Sequence, residues 1–114
     1  MLRVQLVQKL NAKWMREFMA YDPAPDLVKV RVPVLAITGE KDIQVDPADL
    51  DRMAALVPAP FEAHRVPDLT HLLRADPGPP SLRTYKRQVR QDVDPRVIDL
   101  VSTWLKEHID GAAE

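Results

Sequence analysis

The 114-residue sequence has no cysteine, three glycines, six aromatic residues and no surplus of either charge. The lack of cysteine excludes disulfides, a thiolate nucleophile and Cys-ligated zinc or iron–sulfur sites. Sixteen basic against seventeen acidic residues leave a formal net charge of −1. A general polyanion binder needs a cationic surplus, so no nucleic-acid partner is expected. The longest clean apolar run, Val32 to Ile37, is far short of the roughly twenty residues of a membrane-spanning helix. The segment Met1-Leu2-Arg3-Val4-Gln5 lacks the apolar stretch of a signal peptide. The expectation is a soluble, cytoplasmic chain. With 46% hydrophobic residues, it has the composition of an ordinary globular domain, and its length fits one domain over residues 1–114.

Apolar periodicity predicts a helix over about 3–20. Val7, Leu10, Trp14 and Phe18 share one face, and Leu6 and Met15 widen it. Asp22-Pro23-Ala24-Pro25-Asp26 stops that helix. Residues 33–38, Pro33-Val34-Leu35-Ala36-Ile37-Thr38, are apolar nearly throughout and β-branched in part. They read as a parallel strand buried on both faces. Gly39 ends the strand and opens a loop. Asp46 as N-cap and Pro47 at the first helical position start a helix over about 47–57, with Leu50, Met53 and Val57 inward. A second strand is expected near 61–66. Ala75 to Pro80 reads as loop, and Ser81 to Gln91 as a short helix with Leu82, Tyr85 and Val89 on one side. Asp94-Pro95 opens a last helix over about 95–109, with Val97, Val101, Trp104 and Leu105 inward and Gly111 just past its end.

This order is α/β, with two parallel strands joined by a right-handed crossover. Two loops leave the C-terminal strand ends, where sites form in open α/β sheets. One is Gly39-Glu40-Lys41-Asp42, the other Asp68-Leu69-Thr70-His71. Parallel neighbours lie about 4.8 Å apart, so groups beyond adjacent strand ends come within hydrogen-bonding reach. An aspartate accepting the Nδ1–H of a histidine sets its tautomer and leaves Nε2 to take a proton from a nucleophile. Asp46 is better used as a cap than as the acid. His64 within a strand and His108 at a helix end read as structural. Three histidines without H-x-x-x-H spacing give no metal site, and no cofactor is expected.

The stretch Val32-Pro33-Val34-Leu35-Ala36-Ile37-Thr38-Gly39-Glu40-Lys41-Asp42 followed by Val45 resembles the late strand of α/β-hydrolases that delivers the triad acid. Val66-Pro67-Asp68-Leu69-Thr70-His71 resembles their histidine loop, and the closing helix is similar to the one that ends their fold. The resemblance covers residues 26–110. It implies that Asp42 is the triad acid and His71 the general base of ester, thioester or amide hydrolysis. The family's nucleophile lies in an upstream G-x-S-x-G elbow. Neither serine of this chain, Ser81 or Ser102, stands in such a motif. The expectation is therefore the C-terminal part of an α/β-hydrolase fold, with the nucleophile half absent and no activity alone. Completed, it would take a small-molecule ester or amide. Two alternatives stand beside it. One is a non-catalytic binding or assembly module using the basic stretch Arg83, Lys86, Arg87 and Arg90. The other is a fragment completed by another chain, or self-associated, through the open sheet edge beside residues 34–38.

Overall fold

The computed structural model describes residues 12–113. Leu6, Val7 and Leu10 of the first expected helix lie outside the described residues. Residues 12–20 are helical (α1) and end ahead of Pro23. Their Trp14 and Phe18 rings stack at 5.3 Å, and both are exposed. The following Pro-rich stretch is more than a stop. It forms a one-turn helix, Ala24–Leu27 (α2), with Pro23 at the N-cap. Its first turn needs no N–H from Pro25, and Asp22 accepts from the Ala24 N–H at 3.0 Å.

Strand β1, Val34–Gly39, pairs in parallel with β2, Phe61–Val66. Val34 lies opposite Phe61 and Gly39 opposite Val66, with no bulge in the register. The connection contains α3, Asp49–Leu56. This is a small α/β architecture with two parallel strands and flanking helices. Among the described residues, β1 has no strand on its other edge. That explains one departure from expectation. Residues 34–38 have the composition of a strand buried on both faces, yet all five are only half-buried.

Helix α3 begins two residues later than expected. Asp46 does not cap it directly. Its Oδ1 accepts from the Ala48 N–H at 2.9 Å, closing a turn that leads into the helix, and Ala48 holds the N-cap position. Asp49 and Asp51 sit in the first turn, where the helix dipole favours negative charge. Leu50 and Val57 are buried.

The last helix, Pro95–Ala113 (α5), runs through Gly111 rather than stopping before it. Asp94 opens it as expected, its Oδ1 accepting from the Arg96 N–H at 2.9 Å. Val97 joins Val66 and Leu69 in the core, with Ile37, Leu73, Val93 and Leu100 packed against them. Leu100 thus takes the inward place expected of Val101 and Leu105, both of which are exposed. Val97 is buried as expected and Trp104 is half-buried, so the change lies in Leu100 replacing Val101 and Leu105.

The greatest reversal is in the Ser81–Gln91 region. A 3-10 turn, Leu82–Thr84, leads into a single α-turn, Tyr85–Gln88 (α4). Leu82 and Val89 face solvent, while Gln88 is buried. A polar side chain goes inward here because it has partners there. Gln88 Oε1 accepts from the Thr70 hydroxyl at 2.5 Å, and its Nε2 donates to Thr84 Oγ1 at 2.8 Å. The exchange of faces is possible because a fully hydrogen-bonded buried polar group costs little.

Candidate active site

The two loops meet because their backbones are stitched together beyond the strand ends. The Glu40 N–H donates to the Val66 carbonyl and the Lys41 N–H to the Leu69 carbonyl, each at 3.0 Å. Gly39 makes this possible. A Cβ there would lie 2.0 Å from the Leu69 oxygen and 2.5 Å from its carbonyl carbon. The glycine expected to end a strand is also the residue over which the histidine loop closes.

Lys41 clamps the junction from the other side. Its Nζ lies 2.9 Å from Asp68 Oδ1 and donates to the Asp76 and Gly78 carbonyls at 2.6 and 2.8 Å. An ammonium has three N–H donors, and all three are used. Lys41 therefore ties the acid loop to the histidine loop and to the following segment, and is not available as a base.

Asp42 then projects toward His71. The Asp42 N–H donates to the Gly39 carbonyl at 3.1 Å, closing a tight turn. Its Oδ1 accepts from the Gln44 and Val45 N–H groups at 2.8 and 2.9 Å. That leaves Oδ2 for His71, whose Nδ1 lies 2.9 Å away. The carboxylate is nearly enclosed, with 6% of the side chain exposed, against 38% for the imidazole. Burial alone would raise the Asp42 carboxyl. The His71 hydrogen bond and the two N–H groups outweigh burial and hold it below the ordinary aspartate range.

His71 stands in a short turn between two residues of positive φ, Asp68 and Leu73, each at 61°. Neither is glycine, and such conformations cost of order 1 kcal/mol each. The turn is held by its own backbone bonds. The Thr70 N–H donates to the Arg74 carbonyl and the Leu73 N–H to the Thr70 carbonyl, both at 3.0 Å. An isolated bridge pairs Leu69 with Ala75. Under the turn, Leu69 and Thr70 are buried. No hydrogen-bond partner occupies His71 Nε2 among the described residues.

Sequence reasoning named Asp42 and His71, and they lie together. It missed the polar network that supports the histidine loop. Asp76 appears in the sequence as one acid in a Pro-rich loop, yet it is buried. Its Oδ2 accepts from the Thr84 hydroxyl at 2.9 Å and its Oδ1 from the Gly78 N–H at 3.1 Å. Those two bonds hold its carboxyl low against the opposing effect of burial, with Arg87 and Lys41 adding to them. Thr84 continues through Gln88 to Thr70, next to His71. No spacing rule joins residues 70, 76, 84 and 88; only the fold does.

The remaining candidates have other uses. His64 lies 3.0 Å from Glu62 on β2. His108 stacks on Trp104 at 4.1 Å and donates its Nδ1–H to the Trp104 carbonyl. Ser81 Oγ accepts from the Arg83 N–H, and Ser102 lies in α5. Neither serine hydrogen-bonds to His71 among the described residues. A groove of about 600 Å³ lies between β2 and α5, lined by Glu62, His64, Arg96 and Asp99 among others. It includes neither Asp42 nor His71, and its mixed charges select no one ligand. Among the described residues no group of three acidic or histidine side chains is placed to hold a metal ion, and no helix is long and apolar enough to cross a membrane.

The lowered carboxyls give a pH prediction. Asp42, Asp76 and Asp94 all titrate below the ordinary range in the folded chain; Asp94 does so chiefly through Arg96, against burial. In acid the unfolded chain therefore binds more protons than the folded one, and stability rises with pH. Their contribution is complete above the unfolded aspartate value of about 3.9. It is lost as pH falls through the lowered folded values. A plot of melting temperature against pH should climb through the acid range and be flat, as far as these groups are concerned, above about pH 5. A curve flat down to strong acid would mean that these carboxyls are not held as described.

Comparison of the chain with protein-family models, with curated proteins and with solved structures finds no match.

Proposed function

We propose that this chain carries the acid and base of a serine hydrolase of the α/β-hydrolase type, acting on an ester, thioester or amide. The observation that carries the reading is the 2.9 Å bond between His71 Nδ1 and an enclosed Asp42 carboxylate, at the C-terminal ends of adjacent parallel strands. A carboxylate there keeps the neutral imidazole proton on Nδ1 and stabilises the imidazolium form. Nε2 then accepts the hydroxyl proton of a nucleophile as its oxygen bonds to the substrate carbonyl carbon. The same proton passes to the leaving alcohol, thiol or amine as that bond breaks. Water repeats the sequence on the acyl intermediate and frees the acid.

The nucleophile in this reading is supplied by a segment other than these residues. The surface supports this. Large apolar side chains are exposed: Trp14, Phe18 and Met19 on α1, and Ile98, Val101 and Leu105 on α5. Among the described residues one edge of β1 has no strand beside it, and parallel strands are ordinarily covered and flanked.

Nitrogen NMR of the imidazoles tests the acid–base assignment. The neutral His71 ring should carry its proton on Nδ1; a proton on Nε2 would remove the base. Treatment with a fluorophosphonate should leave the mass of the chain unchanged. Labelling of Ser81 or Ser102 would put the nucleophile inside the chain and defeat this form of the proposal.

A further inference from the structure

The outward face of residues 82–90 is not accounted for by the acid–base pair. This stretch holds four cations, Arg83, Lys86, Arg87 and Arg90, and no acid. The rest of the chain has twelve cations against seventeen acids. The basic charge is therefore local, on a chain that is otherwise acidic. All four cations are exposed, and none forms a salt bridge among the described residues.

The apolar residues of the same stretch are placed against the usual rule. Leu82 is 62% exposed and Val89 60%, while Thr84 and Gln88 turn inward to the Asp76 network. Leu82, Arg83, Lys86, Arg87, Val89 and Arg90 are all exposed, so the outward side of this short turn carries two aliphatic side chains among four cations. Exposed aliphatics interspersed with exposed cations in one short segment suit a lipid–water interface. The aliphatics enter the acyl boundary, and the cations meet anionic head groups. A single-stranded nucleic acid would need exposed aromatic rings to stack on, and the one ring here, Tyr85, is half-buried; a duplex needs a cationic surplus that a chain of net charge −1 lacks. The Tyr85 hydroxyl accepts from Gln44 Nε2 at 3.4 Å, and the Gln44 N–H donates to Asp42. The face is thus joined to the acid loop.

We propose that the outward face of residues 82–90 docks the chain on a membrane rich in anionic lipid. This stands apart from the acid–base reading and needs no nucleophile. The test is co-sedimentation of the full chain with phosphatidylcholine vesicles and with phosphatidylcholine–phosphatidylserine vesicles. Binding should require phosphatidylserine. It should be strong at 0.1 M salt and largely lost at 1 M, as the screening length falls from about 10 Å to about 3 Å. Combining Arg83→Gln, Lys86→Gln and Arg90→Gln should weaken partitioning about a hundredfold, at roughly fivefold per cation. Arg87 is left in place because its charge also bears on Asp76. Leu82→Ser with Val89→Ser should weaken it by roughly tenfold. The lipid and salt comparisons use the unaltered chain, so they hold even where a variant folds poorly. Equal binding to neutral vesicles, full retention in the triple variant, no binding, or tighter binding to a DNA duplex at the same salt would each overturn the proposal.

Discussion

Asp42→Asn is expected to turn the His71 imidazole to its other tautomer. The Asp42 Oδ1 accepts from two backbone N–H groups, and an asparagine carbonyl would take over that place. A reversed amide would point N–H at N–H. The Nδ2 group is then left facing His71 Nδ1, where Oδ2 now stands at 2.9 Å. A donor there makes Nδ1 an acceptor and moves the ring proton to Nε2. The geometry survives, and the nitrogen that would take a proton from the nucleophile is already occupied. Where the site is completed, the loss in kcat should be on the order of 10⁴. The tautomer change needs no activity to be seen, since it reads out in the nitrogen chemical shifts of His71 in the chain itself. If His71 kept its proton on Nδ1 in the variant, Asp42 would not be what sets the ring, and the acid–base assignment would fall. Asp42→Ala gives a contrast: it removes the partner without supplying a donor, so the ring should become a mixture of tautomers.

Gly39→Ala should have the largest effect on stability. The new methyl would sit 2.0 Å from the Leu69 carbonyl oxygen, and the obstacle is backbone, not the movable end of a side chain. Leu69 cannot easily retreat. Its side chain is fully buried in the core with Val66 and Val97, and its carbonyl accepts from the Lys41 N–H. Overpacking against flexible neighbours costs about 1–3 kcal/mol, and a rigid neighbour should put the cost at or above the upper end. For a chain of this size, that corresponds to a fall of roughly 10 °C or more in melting temperature. Gly78→Ala is the matched control. Its Cβ would come no closer than 3.4 Å to Asp76 Oδ1, and its φ is not positive, so a change within about 0.5 kcal/mol is expected. Equal melting temperatures for Gly39→Ala and the unaltered chain would show that the two loops do not close over Gly39. Any fold that survives the substitution should also have a longer Asp42–His71 separation, seen as loss of the Nδ1–H preference.

The α/β order, both strands and their parallel pairing were legible in the sequence because those signals are local. An apolar run ended by glycine, an Asp-Pro helix start and a Pro-rich break each act within a few residues. The Asp42–His71 pair was legible for a related reason: two loops at the ends of neighbouring parallel strands have few places to go. Helix faces were less secure. On α5 the expected Val101 and Leu105 gave way to Leu100, because a helix carrying apolar residues on two adjoining rows can present either to a sheet, and only the sheet chooses. On residues 82–90 the faces were exchanged outright. Apolar spacing could not announce that Thr70, Asp76 and Thr84 would offer Gln88 a full set of partners. The use of all three Lys41 donors, the burial of Asp76 and the closure of the histidine loop over Gly39 depend on groups up to 37 residues apart. Sequence pattern therefore determined the two strands, their parallel order, the main helices and which two loops meet. Tertiary structure alone decided which faces are buried and what holds the pair in place, because burial and hydrogen bonding are settled by neighbours in space.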